Sequence, residues 1–492
     1  MRLIIVNDRS FVEPEVAPDG SLVRDPSGAL RGALDPGGLA TALTRQDLPK
    51  LFIGSVRTPE QRALTVSGGV PVEAGGVRFV VRLVPSEATA YRRFYDVAAN
   101  RLLWLLHHDC WPCPDVEQTD LDAYRNGYRT INRNIARAVA EEASAARGTV
   151  HVLWQDYQFY LAPRMAKAAM SPSARSRTVF QHFIHVPFPG PDTWEALPSA
   201  IVRELLSGLL GNDLIGFQLP AYAGNFVRCC RRFLRLDADE DDGVVRRDDG
   251  SRVRVAGYPI PVSPEHLRTV AAGRTAQAYA AALRRDAAGR KVIYRTERVD
   301  PVKAFPDALR AFAELLKHPG MARKVMYVAQ LMPSRPTIPE WVAVRRDSER
   351  LAQEINARWS RDRPPVKLLF ERDFNRMLAG YLEYDVLDVV PRADGMNLVA
   401  LEGPVVNRRD GVVVLSKTAG AHQILAPYAR AVDPGAVHLH VGALRDAVTM
   451  APGERSRRAR GLREIASAGD PSAWLLSQVE DAARWRASGA AG

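Results

Sequence analysis

Two short loops carry residue types that could bind and break a diphosphate ester. The first, Thr296-Glu297-Arg298-Val299-Asp300-Pro301-Val302-Lys303, follows the strand expected at 292–295 and leads into a helical pattern. Arg298 and Lys303 then stand at a strand end beside a helix N-terminus, where two cations and the helix dipole favour phosphate. The bland alternative is two solvated charges near a turn. The second loop is Pro391-Arg392-Ala393-Asp394-Gly395-Met396-Asn397-Leu398-Val399. Gly395 permits a tight turn that brings N–H groups to a ligand. Glu402, on the helix that follows, could accept from the vicinal hydroxyls of a ribose. Asp-Gly is also a common turn pair. Trp154-Gln155-Asp156-Tyr157 and His182-Phe183-Ile184-His185-Val186-Pro187 end two more apolar runs, one with a carboxylate and one with an imidazole. A His in such a place is ordinarily packed or solvated. Asp237–Gly250 contains DxD spacing, which holds a metal in some sugar transferases, but its composition fits a solvated acidic turn.

Other chemistries are disfavoured. No GxGxxG stands in the right place and there is no GxxxxGK[ST], which argues against nicotinamide and P-loop chemistry. There is no G-x-S-x-G elbow. Lys and Arg total 67 against 56 Asp and Glu, a formal charge of +11, and only eight of the cations are Lys. That balance fits an Arg-rich genome or an attraction for small anions. No dense basic run is interleaved with aromatics, so nucleic acid is not an expected partner. Of the four Cys, Cys110 and Cys113 form a CxxC and Cys229 and Cys230 are adjacent, a weak match to a zinc site and more consistent with reduced, incidental thiols. No apolar stretch reaches 18 residues, so no membrane span is expected. MRLIIVNDR reads as a buried first strand rather than a signal peptide, which leaves the cytoplasm as the default compartment.

The elements that must position these residues alternate. Strands are expected at 2–6, 77–84, 149–154, 178–185 and 213–218, with helices over 120–145 and 199–210. Tyr124, Tyr128, Ile131, Ile135 and Val139 fall on one helical face. Residues 16–50, rich in Gly, Pro and Asp, read as a loop with one short helix near Leu39–Leu43. Pro259-Ile260-Pro261-Val262-Ser263-Pro264 reads as a linker, and the pattern restarts after it. Strands then follow at 292–295, 324–331, 366–370, 386–390 and 412–415, with helices over 306–317, 341–359 and 375–383. An Arg/Ala-rich exposed helix over 453–471 and an amphipathic helix over 471–487 close the chain. The expected fold is α/β: two Rossmann-like domains, residues 1–260 and 261–470, facing each other across a deep cleft, with 471–492 packing back on the first. Ligands of open parallel sheets bind at the C-terminal strand edges, and two facing edges suit transfer between two substrates.

Taken together, WQDYQ (154–158), FIHVPFPGPDTWEALP (183–198), NDLIGFQ (212–218), RVDPVK (298–303) and DGMNLVALE (394–402) resemble the trehalose-6-phosphate synthase family, retaining glycosyltransferases of GT-B fold in family 20. The matches keep their order from the N-terminus to about residue 430. The resemblance implies an acceptor site of Arg9, Tyr95, Trp104, Asp156 and Arg335, with Arg9 and Arg335 on the acceptor phosphate. It implies a donor site of Gly38 in a closing glycine loop, His185 near the sugar 6-hydroxyl, and Arg298 and Lys303 on the diphosphate. Asp394 falls on the sugar 3-hydroxyl, the amides of Gly395, Met396, Asn397, Leu398 and Val399 around sugar and phosphate, and Glu402 on the ribose. The residues implied in catalysis are Arg298, Lys303, His185 and Asp156.

Departures bear on the substrate. Ala304 stands where the family has Gly, Val299-Asp300-Pro301 replaces Leu-Asp-Tyr, Gln155 replaces a His, and a Trp expected near 51–55 is missing from LFIGS. The D-P-x-K pattern and PVVNRRD (404–410) look like a branch that includes the validamycin pseudo-glycosyltransferase, whose members tend to use GDP-linked donors. Tyr95 is the residue type of true synthases. The resemblance therefore implies transfer of glucose, with retention, from GDP-glucose to glucose 6-phosphate, making trehalose 6-phosphate without metal or cofactor, by a cytoplasmic homo-oligomer. The alternatives are a pseudo-glycosyltransferase or related enzyme with another phosphorylated acceptor, and a non-catalytic regulatory subunit.

Overall fold

The computed structural model describes residues 1–10, 12–19, 21–34, 43–44, 49–109, 116–360 and 362–490. The glycine loop at Gly37 and Gly38, most of the short helix expected there, and Cys110 and Cys113 lie outside the described residues. The chain forms two compact units: Met1–Ile260 with the segment from Pro471, and Pro261–Asp470.

The first unit is built on β1 (Arg2–Val6), β2 (Val12–Pro14), β3 (Leu30–Leu34), β4 (Lys50–Ser55), β5 (Val70–Ala74), β6 (Val77–Val84), β7 (Val150–Gln155), β8 (Thr178–Ile184), β9 (Leu214–Phe217), β10 (Ala238–Asp239), β11 (Val244–Arg246) and β12 (Arg252–Gly257). They form one sheet in the order β10-β11-β12-β9-β8-β7-β1-β4-β6-β5-β3-β2. From β12 to β6 all neighbours are parallel. Numbered along the chain, these parallel strands stand in the order 3-2-1-4-5-6-7, so the winding reverses between β1 and β7. Buried runs such as Leu3 to Val6 and Val150 to Gln155 explain the arrangement, since strands covered by helices on both faces need apolar residues on both.

The second unit is a six-stranded parallel sheet of β13 (Lys291–Arg298), β14 (Val325–Met332), β15 (Val366–Leu369), β16 (Val386–Val389), β17 (Val412–Ser416) and β18 (Arg430–Val432). Its order, β15-β14-β13-β16-β17-β18, is again 3-2-1-4-5-6, reversing between β13 and β16. Leu309, Phe312, Leu315 and Leu316 of the helix Phe305–Leu316 pack with Ile293, Tyr327, Val386 and Val412 in one core. Both units are thus Rossmann-like α/β sheets, and each reverses its strand order at one point, the place where open sheets of this kind bind ligands.

Three expectations needed correction, those for residues 16–50, the end of β13 and the helix over 453–471. Residues 16–50 are not all loop: β3 pairs with β2 and β5, and Leu30 is buried. Such edge strands are short and half exposed, so their apolar periodicity is weak. β13 extends to Arg298 rather than stopping at 295. The helix over Pro452–Ala466 is not simply exposed, because Arg455, Ala459 and Leu462 are buried. The Arg455 guanidinium donates to the carbonyls of Arg409 (3.0 Å) and Asp410 (3.2 Å), so an arginine stem can line an inner face. In Asp237–Gly250 the Asp239 carboxylate accepts from the Asp241 and Asp242 amides and closes a turn. The helix Pro471–Trp485 packs within the first unit, where Gln478 bonds Gln181 at 3.1 Å and Arg486 reaches Asp213 at 3.2 Å. No helix among the described residues is long and apolar enough to cross a membrane.

Candidate active site

In the first unit the expected residues leave the sheet along one edge. Val6 of β1 pairs with Trp154 of β7, Gln155 with Phe183 of β8, and Ile184 with Phe217 of β9. Asn7 to Arg9, Asp156, His185 and Gln218 therefore all follow C-terminal strand ends, beginning at the β1/β7 reversal. Asp156 takes a positive φ of 65°, which a non-glycine residue holds only when its surroundings fix it. Its amide donates to Phe183 O (2.7 Å), its carbonyl accepts from His182 Nε2 (2.8 Å), and its Oδ1 accepts from the His185 amide (3.2 Å). Asp156 and His185 are brought together. Burial lowers the His185 pKa from its ordinary value to about 3, so the ring is neutral.

Tyr95 and Trp104 lie on one π-helical run, Arg93–Trp104, and both are buried. Asn100 between them donates to Tyr95 O (2.7 Å) and accepts from the Tyr157 hydroxyl (2.7 Å), and the Trp104 ring sits 5.6 Å from that of Tyr157. A polar chain thus ties the Tyr95 helix to the residue after Asp156. Tyr95 stacks on Tyr91 at 5.8 Å, and the Arg57 guanidinium lies over its ring at 4.9 Å. Tyr91 donates to the buried Asp8 carboxylate at 3.0 Å. Burial raises the Asp8 pKa, opposed by the charges of Arg57 and Arg9. Arg9 is exposed beside this cluster. Sequence reasoning missed Asp8, Arg57, Tyr91 and Gln218. Arg57 carried a usable signal, since it follows an apolar strand as Arg298 does.

In the second unit the β13/β16 reversal carries the other set. Arg298 closes β13, and Lys303 ends the turn Pro301–Lys303. Asp300 organises both: its Oδ1 accepts from the Val302 amide at 3.2 Å, and its Oδ2 lies 2.8 Å from Arg335 Nη1 and 3.9 Å from Arg298 Nη2. Arg335 is thereby buried, with its guanidinium 5.0 Å over the Trp341 ring. Lys303 is ion-paired with Asp394, whose Oδ2 also accepts from Asn397 Nδ2 at 2.9 Å. Gly395 to Leu398 lead into the helix Val399–Val406, whose Ala400 and Leu401 amides already donate to Asn397 O (3.2 Å) and Leu398 O (2.9 Å), so the amides it can offer a ligand are those of the loop before it. This loop rests on 417–421: the Ala421 amide donates to Met396 O at 2.8 Å. A Cβ on Gly420 would strike the Gly395 carbonyl oxygen, which the sequence did not disclose. Glu402 is buried with its Oε2 accepting from Tyr381 Oη at 2.9 Å, and burial raises its pKa.

Beneath both loops lies a buried charge network. Arg295 Nε lies 2.8 Å from Glu297 and Nη1 3.4 Å from Asp388, while Nη2 bonds the Lys303 carbonyl. Asp388 also accepts from Tyr327 (2.5 Å) and His440 (2.9 Å). Burial alone would raise the Asp388 pKa, but His440 and Arg295 pull it below the usual carboxylate range. The backbone behind Lys303 is thus held by a guanidinium that cannot easily move. No group of three or more His, Cys, Asp or Glu among the described residues could hold a metal ion, and Cys229 and Cys230 are buried with raised pKa values.

The arrangement offers cations and the amides of a loop before a helix at the sheet edge of the second unit, and a carboxylate, an imidazole and guanidinium groups at that of the first. The sequence profile described as Glycosyltransferase family 20 matches residues 33–484. A trehalose-6-phosphate synthase of Mycolicibacterium vanbaalenii is 32% identical over 477 residues, covering 93% of each chain. The α,α-trehalose 6-phosphate synthase structure from Burkholderia multivorans superposes with a TM-score of 0.82 at 26% identity, covering 99% of this chain and 97% of its own. A UDP-forming α,α-trehalose-phosphate synthase from Burkholderia xenovorans, solved with glucose 6-phosphate, gives 0.80 at 25% identity, covering 98% and 100%. With a matching profile over most of its length and a relative above 30% identity over nearly all of it, the chain is a glycosyltransferase and belongs to glycosyltransferase family 20.

Proposed function

We propose that the protein transfers glucose, with retention, from a nucleotide-glucose to glucose 6-phosphate, yielding trehalose 6-phosphate. The observation that carries this reading is the pair Arg298 and Lys303 at the β13/β16 reversal, on a turn fixed by Asp300 and backed by Arg295. In this reading the second unit holds the nucleotide diphosphate. Arg298 and Lys303 stabilise negative charge as the bond from anomeric carbon to phosphate oxygen breaks, a role for which preorganised donors are worth about 3 kcal/mol each. The leaving phosphate takes the proton from the incoming acceptor hydroxyl on the same face, so no protein nucleophile is required. The amides of Gly395 to Val399 bind sugar and phosphate, Asp394 the sugar hydroxyls, and Glu402 the ribose. In the first unit Arg9 binds the acceptor phosphate, with Arg57 as a second guanidinium, while Tyr95, Trp104 and Asp156 orient the sugar.

GDP-glucose is the donor we favour, on the Asp300-Pro301-Val302-Lys303 pattern. UDP-glucose is the competitor, because the Burkholderia xenovorans relative is described as UDP-forming. The same pattern supports a second reading, a related transferase with another phosphorylated acceptor. Incubation with glucose 6-phosphate and GDP-, UDP- or ADP-glucose, reading nucleoside diphosphate release and the anomeric configuration of the product by NMR, tests the proposal. Release of nucleoside diphosphate with an α,α-linked product supports it. No release with any donor overturns it, and release with inversion overturns the mechanism.

A further inference from the structure

The His185 imidazole ends a hydrogen-bond chain whose direction is fixed at its far end. The Ile260 backbone N–H can only donate, and it lies 3.0 Å from Gln218 Oε1. That settles which side of the Gln218 amide is oxygen, so its NH2 faces His185 Nδ1 at 3.3 Å and donates to it. Nδ1 is then a lone pair, and a neutral ring carries its proton on Nε2. Nε2 lies 2.9 Å from Gln155 Oε1, an acceptor, so the chain closes consistently. Protonating Nδ1 would set two donors face to face. Gln155, Gln218 and Ile260 are all buried. The ring packs against Phe183 at 4.6 Å and Trp474 at 6.4 Å, and the Trp474 indole is held by Tyr258 O at 2.9 Å.

We propose that Gln155 and Gln218 are positioning residues that hold His185 neutral with its proton on Nε2, so that the ring meets the donor sugar as an oriented wall and not as an acid or base. This rests on the transferase reading, in which His185 faces the donor. The titratable groups facing the ring are Asp156 on the β7 edge and His182 within β8. The end of β9 and the helix Pro471–Trp485 present Gln218 and Trp474 to the ring. The Asp156 carboxylate favours imidazolium, but its Oδ1 is engaged by the His185 amide. His182 is buried, and its own pKa is lowered to about 4, so it adds no charge near neutrality. The Gln218 amide and burial therefore prevail. Where the family carries a His, Gln155 provides an acceptor that does not titrate.

The test uses the full chain labelled with 15N-histidine, and the His185 resonances are identified by their loss in His185→Gln. Nitrogen shifts report the tautomer directly and need no substrate, so this arm is independent of whether the transferase reading holds. Expected is an Nε2–H pattern unchanged from pH 5.5 to 8. An Nδ1–H pattern, or titration near the ordinary histidine pKa in the unmutated protein, overturns the proposal. In Gln218→Glu the carboxylate accepts from Nδ1–H, so His185 should titrate in this range. Its kcat/KM for glucose transfer should then fall at least fivefold from pH 8 to 6 relative to the unmutated protein, since a cation beside the donor opposes an oxocarbenium-like transition state. Gln155→Glu, which offers Nε2–H a charged acceptor, should show the same limb. Unchanged pH profiles in both variants, with His185 titrating in their spectra, overturn the positioning role.

Discussion

Asp300 and Arg335 form an ion pair of 2.8 Å between two buried side chains, and the same carboxylate oxygen lies 3.9 Å from Arg298. One carboxylate therefore serves the proposed diphosphate cation Arg298 and the buried Arg335 at once, while its other oxygen caps the turn that ends in Lys303. Asp300→Asn keeps the cap and removes the charge. Breaking a buried pair from one side costs about 3 kcal/mol, so a urea titration should show that loss. Nucleoside diphosphate affinity by calorimetry should weaken roughly tenfold, about 1.4 kcal/mol. Unchanged affinity would mean that Asp300 serves the fold alone.

Arg298→Ala should lower turnover by roughly 100- to 1000-fold, the range for losing one preorganised donor to a developing anion. Its side chain is one-third exposed, so the melting temperature should hardly move. Near-normal turnover would remove Arg298 from the diphosphate site.

Arg57→Ala should raise KM for glucose 6-phosphate about tenfold with kcat nearly constant, because uniform binding is lost. The guanidinium stacks on Tyr95 and lies within electrostatic reach of Asp8 beside Arg9. A fall in kcat at constant KM would place Arg57 elsewhere in the cycle.

Ala304 stands at φ 53°, between the Lys303 turn and the helix Phe305–Leu316. Left-handed backbone costs an L-residue about 1 kcal/mol, of which the freer unfolded chain of glycine returns part. Ala304→Gly should therefore stabilise the protein by roughly 0.5 kcal/mol, read as a higher urea midpoint. A lower midpoint would show that the Cβ contributes packing that outweighs the strain.

Glu402 tests the sign of a buried carboxyl. Its folded pKa is raised, chiefly by burial, so the unfolded chain ionises first as pH rises. Its contribution to stability is most favourable below the unfolded value near 4.5 and declines as pH climbs toward the folded value. Glu402→Gln removes that decline, so its melting temperature relative to the unmutated protein should be higher at pH 8 than at pH 4.5. A difference independent of pH would show that Glu402 does not titrate differently on folding.

What the residues disclosed by themselves was the set of strand ends. Predominantly apolar runs such as VHVLW and VIY are buried on both faces, and a polar residue after each run marks a C-terminal edge, which is how Asp156, His185, Arg298 and Asp394 could be read. Short-range order of this kind is written in composition and spacing. The half-buried edge strands β2 and β3 were not, because their few residues alternate too briefly to outweigh the Gly and Pro around them.

Sequence alone thus determined the α/β alternation, the restart after residue 260, and the polar groups that crown each sheet. Only the tertiary structure decided that both sheets reverse at their first strand, that Arg335 is buried on Asp300, that Gly420 lies under Gly395, and that Arg57 covers Tyr95. It also decided the state of His185, since a backbone amide 75 residues away in the chain sets the direction of its hydrogen bonds. These facts depend on contacts between distant segments, and such contacts are chosen by how the whole core packs rather than by any local pattern.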